Sequence, residues 1–323
     1  YNSASEKAFL YIVDIADGSL IAKISTNNDT SNGLSTPYPF DKNGDGIVDV
    51  IYAGDLRGNL WRFQKNSSGD WVLGNGGDPL FVARISSSDP VQAITTQPNA
   101  KIIDGKVMVY FGTGRYLEAT DLTNDDVQTF YAIWDDSENN PGTVAAGSFT
   151  TRTVTNNETS DPSNRGCYLN FPATAGQPSE RVASSSLIKF FTTSGLNTRV
   201  IFTTSTTPSD PCEKSGTSWL MELSTSCGRL GGTSPFDINQ DQRFDELDLV
   251  DISGQQGQTI SGLKLKPETG IVSEITWVEG DSLKGIAYKI LPGSTGQVET
   301  IANSSDKVTP GSPPKRISWE QIQ

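Results

Sequence analysis

The 323-residue chain contains no histidine. That absence removes the Ser–His and Cys–His nucleophile pairs, the imidazole general base and every zinc site that needs a ring nitrogen. Cysteine is almost as scarce. Cys167, Cys212 and Cys227 are the only three, and none falls in C-x-x-C spacing, which excludes a cysteine zinc cage and a thioredoxin-type redox pair. No apolar run approaches the roughly 18 residues that a membrane-spanning helix requires. The chain opens at Tyr1 without Met and without a basic, apolar leader, so a mature or trimmed piece is expected. Basic side chains are outnumbered 25 to 38 by acidic ones, and the formal charge of −13 offers no footprint for nucleic acid.

Hydrophobic residues make up 35 % of the chain, beside 31 Gly and 17 Pro, a mixture that is turn-rich yet too apolar for wholesale disorder. The length admits one large β domain or two ordinary ones. Apolar residues come in short runs bounded by Gly, Pro, Asn, Asp and Ser, the signature of strands and turns. The expected class is therefore all-β. Strands are placed at Phe9 to Ile15, Leu20 to Ile24, Val48 to Ala53, Asn59 to Gln64, Leu80 to Ile85, Lys101 to Ile103 and Val107 to Phe111. Further strands are placed at Thr129 to Trp134, Leu187 to Phe191, Val200 to Thr204, Trp219 to Leu223, Ile271 to Trp277 and Gly285 to Leu291.

Two stretches read as copies of one strand–turn–strand unit: Leu10 to Leu20, and Ile51-Tyr52-Ala53-Gly54-Asp55-Leu56-Arg57-Gly58-Asn59-Leu60-Trp61-Arg62-Phe63. A degenerate third runs from Val109 to Leu117, and a fourth is built on Trp219 to Leu223 with Gly228-Arg229-Leu230. Repeated hairpins predict propeller blades, here irregular and separated by long polar inserts. Four or five blades are recognisable, fewer than a closed ring needs, so N-terminal blades missing from this chain or a partner strand are expected. A pair of β-sandwiches is the competing architecture.

The sharpest chemical feature is Asp41-Lys42-Asn43-Gly44-Asp45-Gly46-Ile47-Val48-Asp49, with side-chain oxygens at loop positions 1, 3, 5 and 9 and Gly at position 6. Asp41, Asn43, Asp45, the Ile47 carbonyl and Asp49 form the expected Ca²⁺ ligand set, because alternate residues of a tight loop point inward and Gly46 permits the turn. Three acids so close together repel one another without a cation. Position 12 is Tyr52 rather than Glu, so the loop is EF-hand-like in spacing alone. A second candidate places oxygens at Asp237, Asn239, Asp241, the Arg243 carbonyl, Asp245 and Asp248, with Gln242 where Gly is wanted. A solvated acidic turn is the bland alternative for both.

The first loop and its flanks, from Gly33-Leu34-Ser35-Thr36-Pro37 to Phe63, resemble the PilY1/PilC family of type IV pilus-associated proteins. Colinear matches follow at Phe111-Gly112-Thr113-Gly114-Arg115-Tyr116-Leu117-Glu118, Phe130 to Asp135, Gly166 to Leu169, Glu180-Arg181-Val182, Asp210-Pro211-Cys212, Trp219 to Glu222 and Arg316-Ile317-Ser318-Trp319. The resemblance implies a quinoprotein-like β-propeller over residues 1–309, followed by a tail, 310–323, that docks back on it. It implies a surface-exposed factor of a Gram-negative bacterium, exported through the periplasm and outer membrane to the pilus tip. There it would bind major and minor pilins, support adhesion to host or abiotic surfaces, and set pilus extension against retraction by Ca²⁺ occupancy of Asp41, Asn43, Asp45, Ile47 and Asp49. Cys167 departs from the family pattern, and an exported location favours a bridge among Cys167, Cys212 and Cys227 whose pairing stays open.

Two other classes compete. Quinoprotein dehydrogenases share the hairpin signature, but nothing in this sequence pairs an acid with a base in a pocket, and the expectation is no enzyme. A calcium-stabilised carbohydrate-binding module would stack sugars on Trp71, Trp134 or Trp277; the simpler expectation is that these rings anchor blade cores.

Overall fold

The computed structural model describes residues 7–26, 30–144, 149–152, 165–172, 179–182, 184–191, 198–207, 216–252 and 254–307. The first hairpin pairs β1 (Phe9–Val13) with β2 (Leu20–Ser25). The first full sheet holds β3 (Tyr38–Phe40), β4 (Val50–Gly54), β5 (Asn59–Lys65) and β6 (Trp71–Leu73) in that order, with β7 (Phe81–Val82) also on β5. The second contains β8 (Asn99–Ile103), β9 (Lys106–Gly112), β10 (Gln128–Trp134), β11 (Thr150–Arg152) and β12 (Gly166–Phe171), in the order β11-β12-β10-β9-β8. The third contains β13 (Arg181–Val182), β14 (Leu187–Lys189), β15 (Arg199–Thr206) and β16 (Thr217–Ser224). A small hairpin of β17 (Val250–Ile252) and β18 (Gln255–Gln258) precedes β19 (Gly262–Lys264), which returns to β16. The fourth sheet is β20 (Thr276–Glu279), β21 (Ile286–Pro292) and β22 (Val298–Ser304).

Successive sheets pack face to face, and the core lies between them as separate layers. The period of two along a strand decides which layer each side chain enters. On β9, Val107, Val109 and Phe111 face the first sheet, while Met108 and Tyr110 face the third. On β10, Tyr131 and Ile133 take the first direction and Phe130 and Ala132 the second. The Phe130 ring stacks on Phe202 of β15 at 3.9 Å. Ile201, Leu220 and Leu291 fill the layer between the third and fourth sheets, and Ile51, Trp61 and Phe63 the layer under the first hairpin. Each such side chain contributes about 1.5–3 kcal/mol on full burial. Strands buried on both faces read as continuous apolar runs, which is why the sequence shows runs rather than clean alternation.

Two glycines let neighbouring layers meet. A Cβ on Gly54, at the end of β4, would lie 2.1 Å from Ile94, and one on Gly112, at the end of β9, would lie 2.1 Å from Val182. Both occupy equivalent ends of repeated units, where the chain entering the next sheet crosses over. The third and fourth layers are further tied by a buried ionic cluster. Glu222 of β16 accepts from Arg199 Nη1 of β15 at 2.8 Å and from Lys289 Nζ of β21, and Asn303 of β22 adds a bond at 3.0 Å.

Several sequence expectations need correcting. Residues Val109 to Leu117 are not a hairpin: β9 ends at Gly112, and the chain makes a 3-10 turn at Ala119–Thr123 before β10 returns. After Ser224 the turn does close, Ser224 N–H donating to Gly228 O at 2.9 Å, yet β16 pairs with β19 rather than with residues 228–230. The strand placed at Leu80 to Ile85 shrinks to β7, whose ladder with β5 ends at the bond from Ala83 N–H to Gly58 O. The one placed at Ile271 to Trp277 begins only at Thr276, since Val272 bridges to Gly293 instead. The pairing left open among the cysteines is Cys167–Cys227, with Cα atoms 6.1 Å apart, joining the second sheet to the turn after β16. Cys212 and the tail 310–323 lie outside the described residues.

Candidate functional site

The first acidic loop bridges β3 and β4, so strands flank it as the sequence implies. Phe40 O accepts Asp49 N–H at 3.1 Å and closes its base. Inside, Asp41 Oδ1 and Oδ2 accept the N–H groups of Gly44 and Gly46 at 2.6 and 2.7 Å. Asn43 Oδ1 accepts Asp45 N–H at 2.9 Å, and Asp45 Oδ1 accepts Ile47 N–H at 2.8 Å. Asp49 Oδ2 accepts Lys42 N–H at 2.8 Å. These bonds demand left-handed backbone at Gly44 and Gly46, where φ is 80° and 87°. The Gly46 N–H, first among several backbone donors, holds the exposed Asp41 carboxyl below its ordinary range.

Among the described residues, no basic side chain pairs with the acids of this loop. Lys42 sits within it, but its ammonium reaches outward to Glu138 Oε2 at 2.7 Å. Glu138 in turn pairs with Arg62 of β5, whose Nε also holds Asp135 Oδ2 at 2.9 Å; the Tyr52 hydroxyl donates to that same oxygen. Burial, reinforced by Asp135, pushes the Tyr52 phenol well above its usual range. The loop is thus stitched to the segment following β10. Its donors are hard oxygens of the kind Ca²⁺ takes, and each Asp41 oxygen keeps a lone pair beyond its backbone bond. Among the described residues, however, no three acidic or cysteine side chains converge closely enough to hold a metal ion as they stand.

The second loop repeats the pattern. Asp237 accepts the N–H groups of Asp241 and Gln242, each at 3.0 Å; Asn239 Oδ1 accepts Asp241 N–H at 3.0 Å; and Asp241 Oδ1 accepts Arg243 N–H at 2.8 Å. Gln240 and Gln242 both adopt φ of 63°, the conformation taken by Gly44 and Gly46 in the first loop. Side chains unsuited to that region therefore follow the same path. Asp245 caps a short 3-10 turn, Glu246–Asp248, and accepts Leu247 N–H at 3.0 Å. Asp248 is fully buried; its Oδ1 accepts Ile238 N–H at 2.7 Å and its Oδ2 accepts Asp245 N–H at 3.2 Å. It closes this loop as Asp49 closes the first.

Trp71, Trp134 and Trp277 pack partly into three different core layers, and Lys65, Lys106 and Lys189 lie over their rings at 5.5, 4.6 and 4.8 Å. A feature that motif reading missed is the role of Asp55. This fully buried carboxylate accepts from the N–H groups of Arg57 and Asn59, from the Asn32 and Asn59 amides and from the Trp61 indole, all at 2.8 to 2.9 Å. Only the Gly58-Asn59 turn next to an Asp signals it in the sequence.

An all-β stack of sheets, with the core in layers between them and acidic loops at strand connections, defines a β-propeller type of domain. The family model described as the PilY1 beta-propeller domain matches residues 1–169. The chain belongs to the PilY1 family. Type IV pilus biogenesis factor PilY1 of Pseudomonas aeruginosa PAO1 is 37 % identical over 159 residues, covering 42 % of this chain. A PilY1 homolog of Xylella fastidiosa Temecula1 is 32 % identical over 269 residues, covering 71 % of this chain. The matches span only 14 % and 17 % of those two relatives. The crystal structure of the P. aeruginosa PilY1 C-terminal domain shares the fold, with a TM-score of 0.73 at 23 % identity over 93 % of this chain and 67 % of that one.

Proposed function

We propose that this chain is the calcium-responsive propeller of a type IV pilus biogenesis factor and acts by binding rather than by catalysis. Asp41, Asn43, Asp45, the Ile47 carbonyl and Asp49 would hold Ca²⁺; Asp237, Asn239, Asp241, the Arg243 carbonyl and Asp245 would form a second site, closed by Asp248. The ion supplies positive charge that relieves repulsion among three carboxylates. The observation that carries this reading is a loop of three acids with no ion-pair partner among the described residues, tied through Lys42 to Glu138 in the segment that follows β10. Asp49 sits directly before β4, so a change in its orientation reaches a strand that faces two core layers. A loop of this kind can bias pilus extension against retraction only by as much as the affinities of its two forms differ. The location we assign is the pilus or cell surface of a Gram-negative bacterium, with pilins as partners and host or abiotic surfaces as contacts.

Calorimetric titration with CaCl₂ tests the first step. Wild type should bind, Asp45→Ala should lose one site, and Asp241→Ala a second. Unchanged stoichiometry in Asp45→Ala would sink the first site. Normal piliation by that variant would sink its regulatory role.

A further inference from the structure

Two cavities flank the segment that follows β9, well apart in sequence from both acidic loops. The first, about 380 Å³, is walled by Arg57, Arg115, Arg181, Asp121, Asp126 and Gln128 among others. The second, about 320 Å³, shares Arg115 and Arg181 and is faced by Tyr116, Leu117, Val182 and Ile271. Three guanidinium groups against two carboxylates leave the first cavity at +1, in a chain of −13.

Part of that charge is met inside the fold, where Arg115 pairs with Asp121 and its Nη2 lies 3.9 Å from Glu118 Oε2; Arg57 and Arg181 have no carboxylate partner among the described residues. Asp121 is satisfied, its Oδ1 by Arg115 Nε at 2.8 Å and its Oδ2 by the Leu117 and Glu118 N–H groups at 2.9 Å. Arg181 is 5 % exposed, and among the described residues it bonds to neutral oxygens, the Thr207 hydroxyl and the carbonyls of Asp121 and Asn124. The side chain of Arg57, at an exposed turn, donates to the Thr30 carbonyl at 2.8 Å and has no carboxylate partner among the described residues. Two buried polar atoms on these walls also lack partners among the described residues: Gln128 Oε1 in the first cavity and Thr96 Oγ1 in the second. Gln128 itself is 7 % exposed.

A guanidinium fork matches a carboxylate or a phosphate. The net charge of the first cavity balances a monoanion and opposes a dianion, which selects the carboxylate. An unpaired acceptor asks for an N–H or O–H nearby, an unpaired hydroxyl for a polar group, and the adjoining apolar cavity for a hydrocarbon side chain. The last residues of an extended peptide carry all four features, whereas an acidic sugar has no hydrocarbon arm. We propose that the paired cavities receive the free carboxyl end of a protein partner. The carboxylate lies against Arg57 and Arg115, a main-chain N–H faces Gln128, and the terminal side chain lies beside Tyr116 and Leu117. This site does not depend on the calcium reading.

The test is calorimetric titration of the whole chain with acetyl-Gly-Ala-Leu as the free acid and as the carboxamide. The acid should bind on the order of ten-fold more tightly than the amide, since only it can engage the fork. Arg57→Gln, at an exposed position, should erase that preference without lowering the melting temperature, and Leu117→Ser should weaken both peptides. Equal affinity for acid and amide, no binding of either, or an unaltered preference in Arg57→Gln overturns the proposal. Displacement of the peptide by sodium glucuronate at equal concentration also overturns it, in favour of a sugar acid.

Discussion

The indole N–H of Trp61 donates to Asp55 Oδ2 at 2.8 Å, linking a strand buried on both faces to a carboxylate that has no cationic partner among the described residues. Five donors from four residues replace the water this charge loses on burial. Asp55→Ala should therefore cost more than a surface change: about 3–5 kcal/mol, through orphaned donors on Asn32, Asn59 and Trp61. Urea unfolding followed by tryptophan fluorescence measures this; a loss below about 1 kcal/mol would contradict the account.

The Cys167–Cys227 bridge spans 60 residues and joins the second sheet to the turn after β16. Cys227→Ser should lower stability by about 2–4 kcal/mol. Adding dithiothreitol to wild type should reproduce most of that loss, whereas the variant should not respond. A reductant effect of equal size in the variant would point to another bridge.

Gln242 adopts φ of 63° at the loop position that Gly46 fills at 87°. Gln242→Gly removes a Cβ from the left-handed region and should stabilise the fold by about 0.5–1 kcal/mol, after the added freedom of the unfolded chain is subtracted. Gly46→Gln should destabilise by a similar or larger amount. Paired thermal melts of the two variants provide the measurement, and shifts of equal sign would refute it.

Burial pushes the Lys289 ammonium down to about 8, with Glu222 pulling it back up and Arg199 adding to the depression. A lysine depressed in the fold binds its proton more weakly there than in the unfolded chain. Between about pH 8 and the ordinary lysine range the unfolded state therefore holds more protons, and this group's contribution to stability rises with pH. Lys289→Met should remove that rise while Arg199 remains to pair Glu222. Urea midpoints at pH 8 and pH 10 for both proteins decide it; parallel changes would show that Lys289 is not the source.

The close approach at Gly112 offers a packing test. Gly112→Val would place side-chain atoms where Val182 already stands, so β13 and β9 must separate, at a cost of about 3 kcal/mol or more. An unaltered melting temperature would mean that the crossing gives way freely.

How much of this was written in the sequence differs from element to element. The long strands β4, β5, β9, β10, β15 and β16 could be placed because both of their faces are buried, which concentrates apolar residues into runs that stand out locally. Three-residue strands such as Tyr38–Phe40 and Val250–Ile252 carry no measurable period and were missed. The acidic loops stand out in the sequence because side-chain oxygens at alternate positions make their hydrogen bonds within a few residues of chain.

The sequence by itself determined the all-β class, the absence of histidine chemistry, and the identity and spacing of the loop oxygens, because these depend on composition and short-range order. Only the tertiary structure decided that Cys167 meets Cys227, that Asp55 gathers donors from two segments, and that Arg57, Arg115 and Arg181 converge around one cavity. Each of those relations joins residues whose neighbours in space are far apart along the chain, brought together by sheet stacking that no local pattern encodes.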